Sequence, residues 1–177
     1  MYKFKLKGKD YEIPNSWEEI NLEQYLDIIS MDFKDLNYNI NLLKILSGLS
    51  DEEINKMTIE LFSEIKKEFE FFNTAPNFEA KQLVNIDGED YIFKSNFNKL
   101  ELGEVASIST FDAKYGARAL PYTLAILLRK SIKDENGELV QEDYNLELIE
   151  KRVERFLKLP INLFLGSINF FLSGINK

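Results

Sequence analysis

The chain contains neither cysteine nor histidine. Disulfides, thiolate nucleophiles and thiolate metal ligands are therefore excluded, and with them an imidazole general base, a Ser-His-Asp triad and nearly all zinc sites. Any catalysis would have to come from carboxylates, lysine, tyrosine or arginine. Cationic residues are also in short supply. The 22 Lys and Arg stand scattered against 30 Asp and Glu, for a net charge of -8, so no basic stripe is present to neutralise a phosphate backbone. Direct nucleic-acid binding is not expected. There is no phosphate loop, dinucleotide fingerprint or serine nucleophile elbow. No stretch reaches the roughly twenty predominantly apolar residues of a membrane span. The opening MYKFKLKGKD alternates lysine with apolar residues where a secretory signal needs a continuous apolar core, so a cytosolic origin is the default expectation.

What is present is the material of a packed core. Hydrophobic residues make up 45% of 177, enough for one domain or two small halves. A stretch of about thirty residues recurs: 2–31 and 82–111 align without a gap at a spacing of 80. Gly8, Asp10, Tyr11, Leu22 and Ile28 return as Gly88, Asp90, Tyr91, Leu102 and Ile108, and most apolar positions between them match in kind. In the first copy Tyr2, Phe4 and Leu6 alternate with lysines, the period of a half-buried strand. Gly8-Lys9-Asp10 is expected to turn the chain into a second strand that Pro14 ends. The second copy carries Asp87-Gly88, a stronger hairpin signal.

Helix starts are marked by capping-box spacings at Ser16/Glu19, Asn21/Gln24 and Ser50/Glu53, with Asn21 the expected start of the main first helix. Gly48 is placed to end a short helix over 40–48. Ile54, Met57, Leu61, Ile65, Phe69 and Phe72 keep spacings of three and four, which predicts one long amphipathic helix over 51–72. Pro76 marks the best internal boundary. Beyond it, helices are expected over 102–111, over 120–129 with Pro121 in the first turn, and from Asp143 or Asn145 to about 159. Asn136-Gly137, within Lys133 to Leu139, reads as a surface turn or a small hairpin. The expected fold is α+β, mainly helical: two hairpin-plus-helix units joined by the long helix and followed by a helical C-terminal region. The expected divisions are 1–75, 76–131 and 132–177, forming one compact or two closely packed domains.

No catalytic, cofactor or metal residue is assigned. Asp134, Asn136 and Gly137 lack calcium-loop spacing. Asp87, Glu89 and Asp90 sit at a hairpin tip with no pocket to raise a pKa. Tyr11 and Tyr91 read as strand residues whose rings pack on the following helix and whose hydroxyls reach water. The candidate partner-binding residues are Leu163, Phe164, Ile168, Phe170 and Phe171, from the apolar stretch INLFLGSINFFLSG, together with Arg118 and Arg129. That stretch is a buried core helix or a partner-binding or oligomer-forming surface, with interfacial membrane binding a third reading that the net negative charge disfavours. Arg129 is expected in the last turn of the helix over 120–129, where a cation meets the negative end of the dipole.

The succession hairpin, WEEINLEQYLDI, LLKILSGLS, long helix, second hairpin, NKLELGEVASI and LAILLRK resembles small structural and assembly proteins of tailed bacteriophages. Among these are proteins of Bacteroidetes and crAss-like phages, and some relatives are described as tail assembly chaperones. The resemblance covers about residues 1–130. It is carried by Trp17, Leu22, Gln24, Tyr25, Leu102, Gly103 and Glu104. Val105 and Ala106 depart from it, standing where bulkier apolar residues are usual. The resemblance implies a non-enzymatic virion component, in a portal, neck or tail ring or packaged internally, assembled in the host cytoplasm. It would act through contacts with other phage structural proteins or with its own copies, without cofactor. The alternative it implies is a cytosolic tail assembly chaperone.

Overall fold

The computed structural model describes all residues except Asn77, Ala80 and 170–177. The fold is α+β and mainly helical, and the chain divides into two compact units, Met1–Pro76 and Asn77–Lys177, the second of which includes the described part of 132–177.

In the first unit β1 (Tyr2–Leu6) pairs antiparallel with β2 (Lys9–Ile13). Leu6 faces Lys9, so the loop is Lys7-Gly8, not Gly8-Lys9-Asp10. Both loop residues have positive φ, 51° and 81°, as a two-residue hairpin turn requires to follow the strand twist, and glycine at the second position removes its cost. Phe4, Leu6 and Ile13 face the core, while Lys3 meets Glu12 at 2.8 Å across the exposed face. The predicted cap at Ser16 does not form. Trp17–Glu19 makes one 3-10 turn, and the Glu19 carboxylate accepts from the Asn15 N–H and pairs with the N-terminal ammonium.

Helix α1 (Leu22–Ile29) starts at Asn21 with both capping-box bonds, Gln24 N–H to Asn21 Oδ1 at 2.8 Å and Asn21 N–H to Gln24 Oε1 at 3.1 Å. Helix α2 (Tyr38–Ser47) ends on Gly48 at φ 69°. The long helix predicted over 51–72 is three pieces: α3 (Asp51–Asn55), α4 (Ile59–Lys67) and a 3-10 segment, Glu68–Asn73. Thr58 causes the first break. Its hydroxyl accepts from the Leu61 N–H and caps a new helix, so the backbone at Lys56–Thr58 leaves the first one. The apolar spacing continues across the break, and for that reason the pattern reads as unbroken.

In the second unit β3 (Leu83–Ile86) and β4 (Glu89–Phe93) flank Asp87-Gly88, with φ 53° and 83°. A 3-10 turn at Phe97–Lys99 and helix α5 (Leu102–Tyr115) follow, so the order of the first unit recurs in place at the spacing of 80. Helix α6 (Leu120–Leu127) stops two residues short of its predicted end, and Arg129 belongs to strand β5 (Leu128–Lys133). Sheet pairing outweighs helix continuation there: Phe93 faces Leu128, and the Lys94 N–H donates to the Leu127 carbonyl at 2.8 Å. The expected favourable place for Arg129 at a helix end therefore does not exist. β6 (Leu139–Gln141) completes an antiparallel sheet of order β3-β4-β5-β6. Asn145 caps α7 (Leu146–Leu157), which buries Ile149, Val153 and Phe156.

The two copies differ in what their helices bury. Leu22 and Leu102 hold the same place in the repeat, yet they are 0% and 90% exposed. Leu26 is buried and its counterpart Ala106 is exposed. Val105 and Ala106 offer less apolar area than Tyr25 and Leu26, so less is gained by turning this face inward. Helix α5 instead buries one residue of its own, Glu104. Farther along, its Phe111 and Tyr115 stack on Tyr122 of α6 with ring centroids 4.4 and 4.7 Å apart.

Candidate functional site

One of the open features of the first unit is an aromatic groove. Trp17 packs edge-on against Phe71 and Phe72 at 5.5 and 5.0 Å and donates its indole N–H to the Thr74 carbonyl at 3.0 Å, which anchors the 3-10 segment after α4. That segment carries Phe69 and Phe72 to one side of a cavity of about 450 Å³. From α2, Tyr38 and buried Leu42 line it, and Phe33, two-thirds exposed, stacks obliquely on Tyr38 at 5.3 Å. Burial raises the Tyr38 hydroxyl pKa above its ordinary value. Lys66 and Lys67, in the last turn of α4, stand on the rim with Glu70. Leu36, in the loop that carries Phe33, is fully exposed. The residue spacing showed Phe69 and Phe72 as helix core. Their 3-10 conformation, which tilts them round the groove, has no signal at that level.

Elsewhere in the same unit, the Tyr11 hydroxyl donates to Glu53 Oε1 at 2.6 Å. The hydroxyl that was expected to reach water is thus also bonded to a carboxylate of α3. Glu53 also accepts from the Ser50 N–H and hydroxyl. The Tyr11 hydroxyl first, and the Ser50 donors next, hold the Glu53 carboxyl at a pKa of about 2 against an ordinary 4.5. A depressed acid contributes stability that is complete above its unfolded value and is lost as the pH falls towards its folded one, here from 4.5 to about 2. Urea midpoints measured at several pH values across that window are expected to fall less in Tyr11→Phe than in the native chain. Equal losses would exclude this bond as the source.

In the second unit the charged residues around the β3–β4 turn are occupied structurally. Arg155 of α7 reaches the β3–β4 turn, bonding Asp87 at 2.9 Å, Glu89 at 3.1 Å and the Tyr91 hydroxyl at 2.9 Å. Tyr91, like Tyr11, has its hydroxyl bound. Hydrogen bonding from Lys130 and then Arg155 lowers the Glu89 pKa, so the carboxyl stays ionised. Asp134 accepts from the Asn136 and Glu138 N–H groups, each at 2.9 Å, which closes a tight turn. Among the described residues no group of three or more acidic side chains is placed to hold a metal ion, and no helix is long and apolar enough to cross a membrane.

The candidate partner-binding residues fall in different places. Phe164 and Ile168 are buried in the second unit, with the Phe164 ring 5.0 Å from that of Phe156, and Leu163 is half-buried. Phe170 and Phe171 lie outside the described residues. Arg118 is exposed in the 3-10 turn Gly116–Ala119. Arg129 is buried, its Nη2 2.7 Å from Glu104 Oε1 and 3.0 Å from Gln141 Oε1. Lys94 Nζ meets both Glu104 oxygens at 2.8 Å, and the Glu101 N–H donates to Glu104 at 2.7 Å. Glu104 stands at the repeat position of Gln24. An amide there closes a capping box in the first unit, and a carboxylate in the second also gathers two cations from the sheet side.

The groove of the first unit presents aromatic surface to solvent beside two lysines that pair with no described acid. No family model, curated protein or solved structure matches this chain.

Proposed function

We propose that this protein is a non-enzymatic component of a tailed-bacteriophage particle, assembled in the host cytoplasm and acting through contacts with other structural proteins or with its own copies. The observation that carries the protein-contact part is the groove: a cavity of about 450 Å³ walled by aromatic rings, beside an outward-standing Phe33 and Leu36. Large apolar side chains held in water are costly, and clusters of them on a folded protein mark surfaces that a partner covers. The phage context rests on the resemblance of the segments around Trp17, Gln24, Tyr25 and Glu104. Purified particles digested and quantified by mass spectrometry are expected to contain this chain in fixed stoichiometry with the portal, neck or tail proteins. Its absence from particles, with abundance in the infected lysate, would overturn the virion role in favour of a cytosolic tail assembly chaperone.

A further inference from the structure

Building on the protein-contact reading above, we propose that the groove of the first unit receives an acidic segment of a partner protein, with a large apolar side chain inserted among Phe33, Tyr38, Phe69 and Phe72 and carboxylates on its flank meeting Lys66 and Lys67. Residues 1–76 hold nine lysines against fifteen acids, so a lysine there has acids in plenty to pair with. Lys3, Lys5, Lys9, Lys44 and Lys56 do so, and Lys7 and Lys34 stand in loops without an ion pair to a described residue.

Lys66 and Lys67 are both exposed, and neither makes an ion pair or a side-chain hydrogen bond with a described residue. Glu70 is the one acid on the same rim, which leaves the mouth of the groove with net positive charge on a strongly acidic chain. An apolar floor formed by Leu42 and Phe69 supplies the area that holds a segment, and the paired lysines select its sign. A basic segment would be repelled by the same rim. The volume lies within the usual range for sites that enclose a ligand group, roughly 300–1,000 Å³, so it admits an aromatic or leucine side chain.

The test uses the full chain and a random twelve-residue peptide library displayed on a surface, with the enriched peptides resynthesised for titration. Enriched peptides are expected to combine a large apolar residue with two or more acids. Affinity is expected to fall about tenfold in Lys66→Glu/Lys67→Glu and by a similar factor in Phe33→Ser, and to weaken as salt is raised, since the rim pairs are exposed. All three positions are exposed, and unchanged Trp17 fluorescence confirms that the adjoining aromatic cluster is intact in each variant. A library without enrichment, enrichment without acidic bias, or loss of binding in fewer than both variants would overturn the proposal. This outcome is independent of particle composition: a chain present in particles whose library shows no acidic bias sinks the groove assignment alone, and acidic binding by a chain absent from particles sinks the virion role alone.

Discussion

Glu104→Leu is expected to lower the stability of the second unit by about 3–5 kcal/mol, the usual cost of removing one partner from a buried ion pair. Glu104 is fully buried and Arg129 nearly so, with Lys94 only slightly exposed at the edge. The cluster holds two cations against one carboxylate, and two further guanidinium nitrogens of Arg129, Nε and Nη1, make no hydrogen bond. Without Glu104 the remaining cations would be left buried and uncompensated, and the first turn of α5 would lose the acceptor of the Glu101 N–H. Replacing Lys94, Glu104 and Arg129 together by methionine or leucine is expected to restore most of the loss, because the desolvation cost disappears with the charges. Hydrogen exchange of α7 amides reads this unit separately from Trp17, which reports the first. A Glu104→Leu loss below about 1 kcal/mol, the scale of an exposed pair, would show that the carboxylate is not the anchor described.

Phe164→Ala is expected to cost about 3–5 kcal/mol in the same measurement, the range for a large side chain removed from a core that cannot collapse around the void. Phe164 is 0% exposed, and it packs on Phe156, which α7 directs inward together with Ile149 and Val153. A partner-binding Phe164 would behave in the opposite way, leaving stability within about 0.5 kcal/mol as other surface substitutions do. The result therefore decides whether the described part of the apolar C-terminal stretch is core, as Phe164 and Ile168 indicate, or surface.

How much was legible beforehand depended on the range of the interaction. The hairpin at Asp87-Gly88, the caps at Asn21, Ser50 and Asn145 and the left-handed stop at Gly48 are each made by residues within four of one another, so the chain displays both partners together. The α+β class and the recurrence at a spacing of 80 followed from such signals and from apolar periodicity. Ser16/Glu19 shows their limit: the spacing is right, but Asn15 and the N-terminal ammonium compete successfully for the Glu19 carboxylate.

What only the tertiary structure decided is what each periodic face packs against. Leu22 and Leu102 occupy one repeat position, yet one is buried and the other exposed, while the residue that α5 buries is Glu104, paired with Lys94 and Arg129. Arg129 reaches that place because pairing with β4 takes residues 128 and 129 out of the expected helix into a strand. The groove arises likewise from a break at Thr58 and a 3-10 segment pinned by Trp17 more than fifty residues earlier. Caps and turns are settled by bonds between near neighbours. Burial and charge pairing are settled by residues distant in the chain, and sequence order does not say which of them meet.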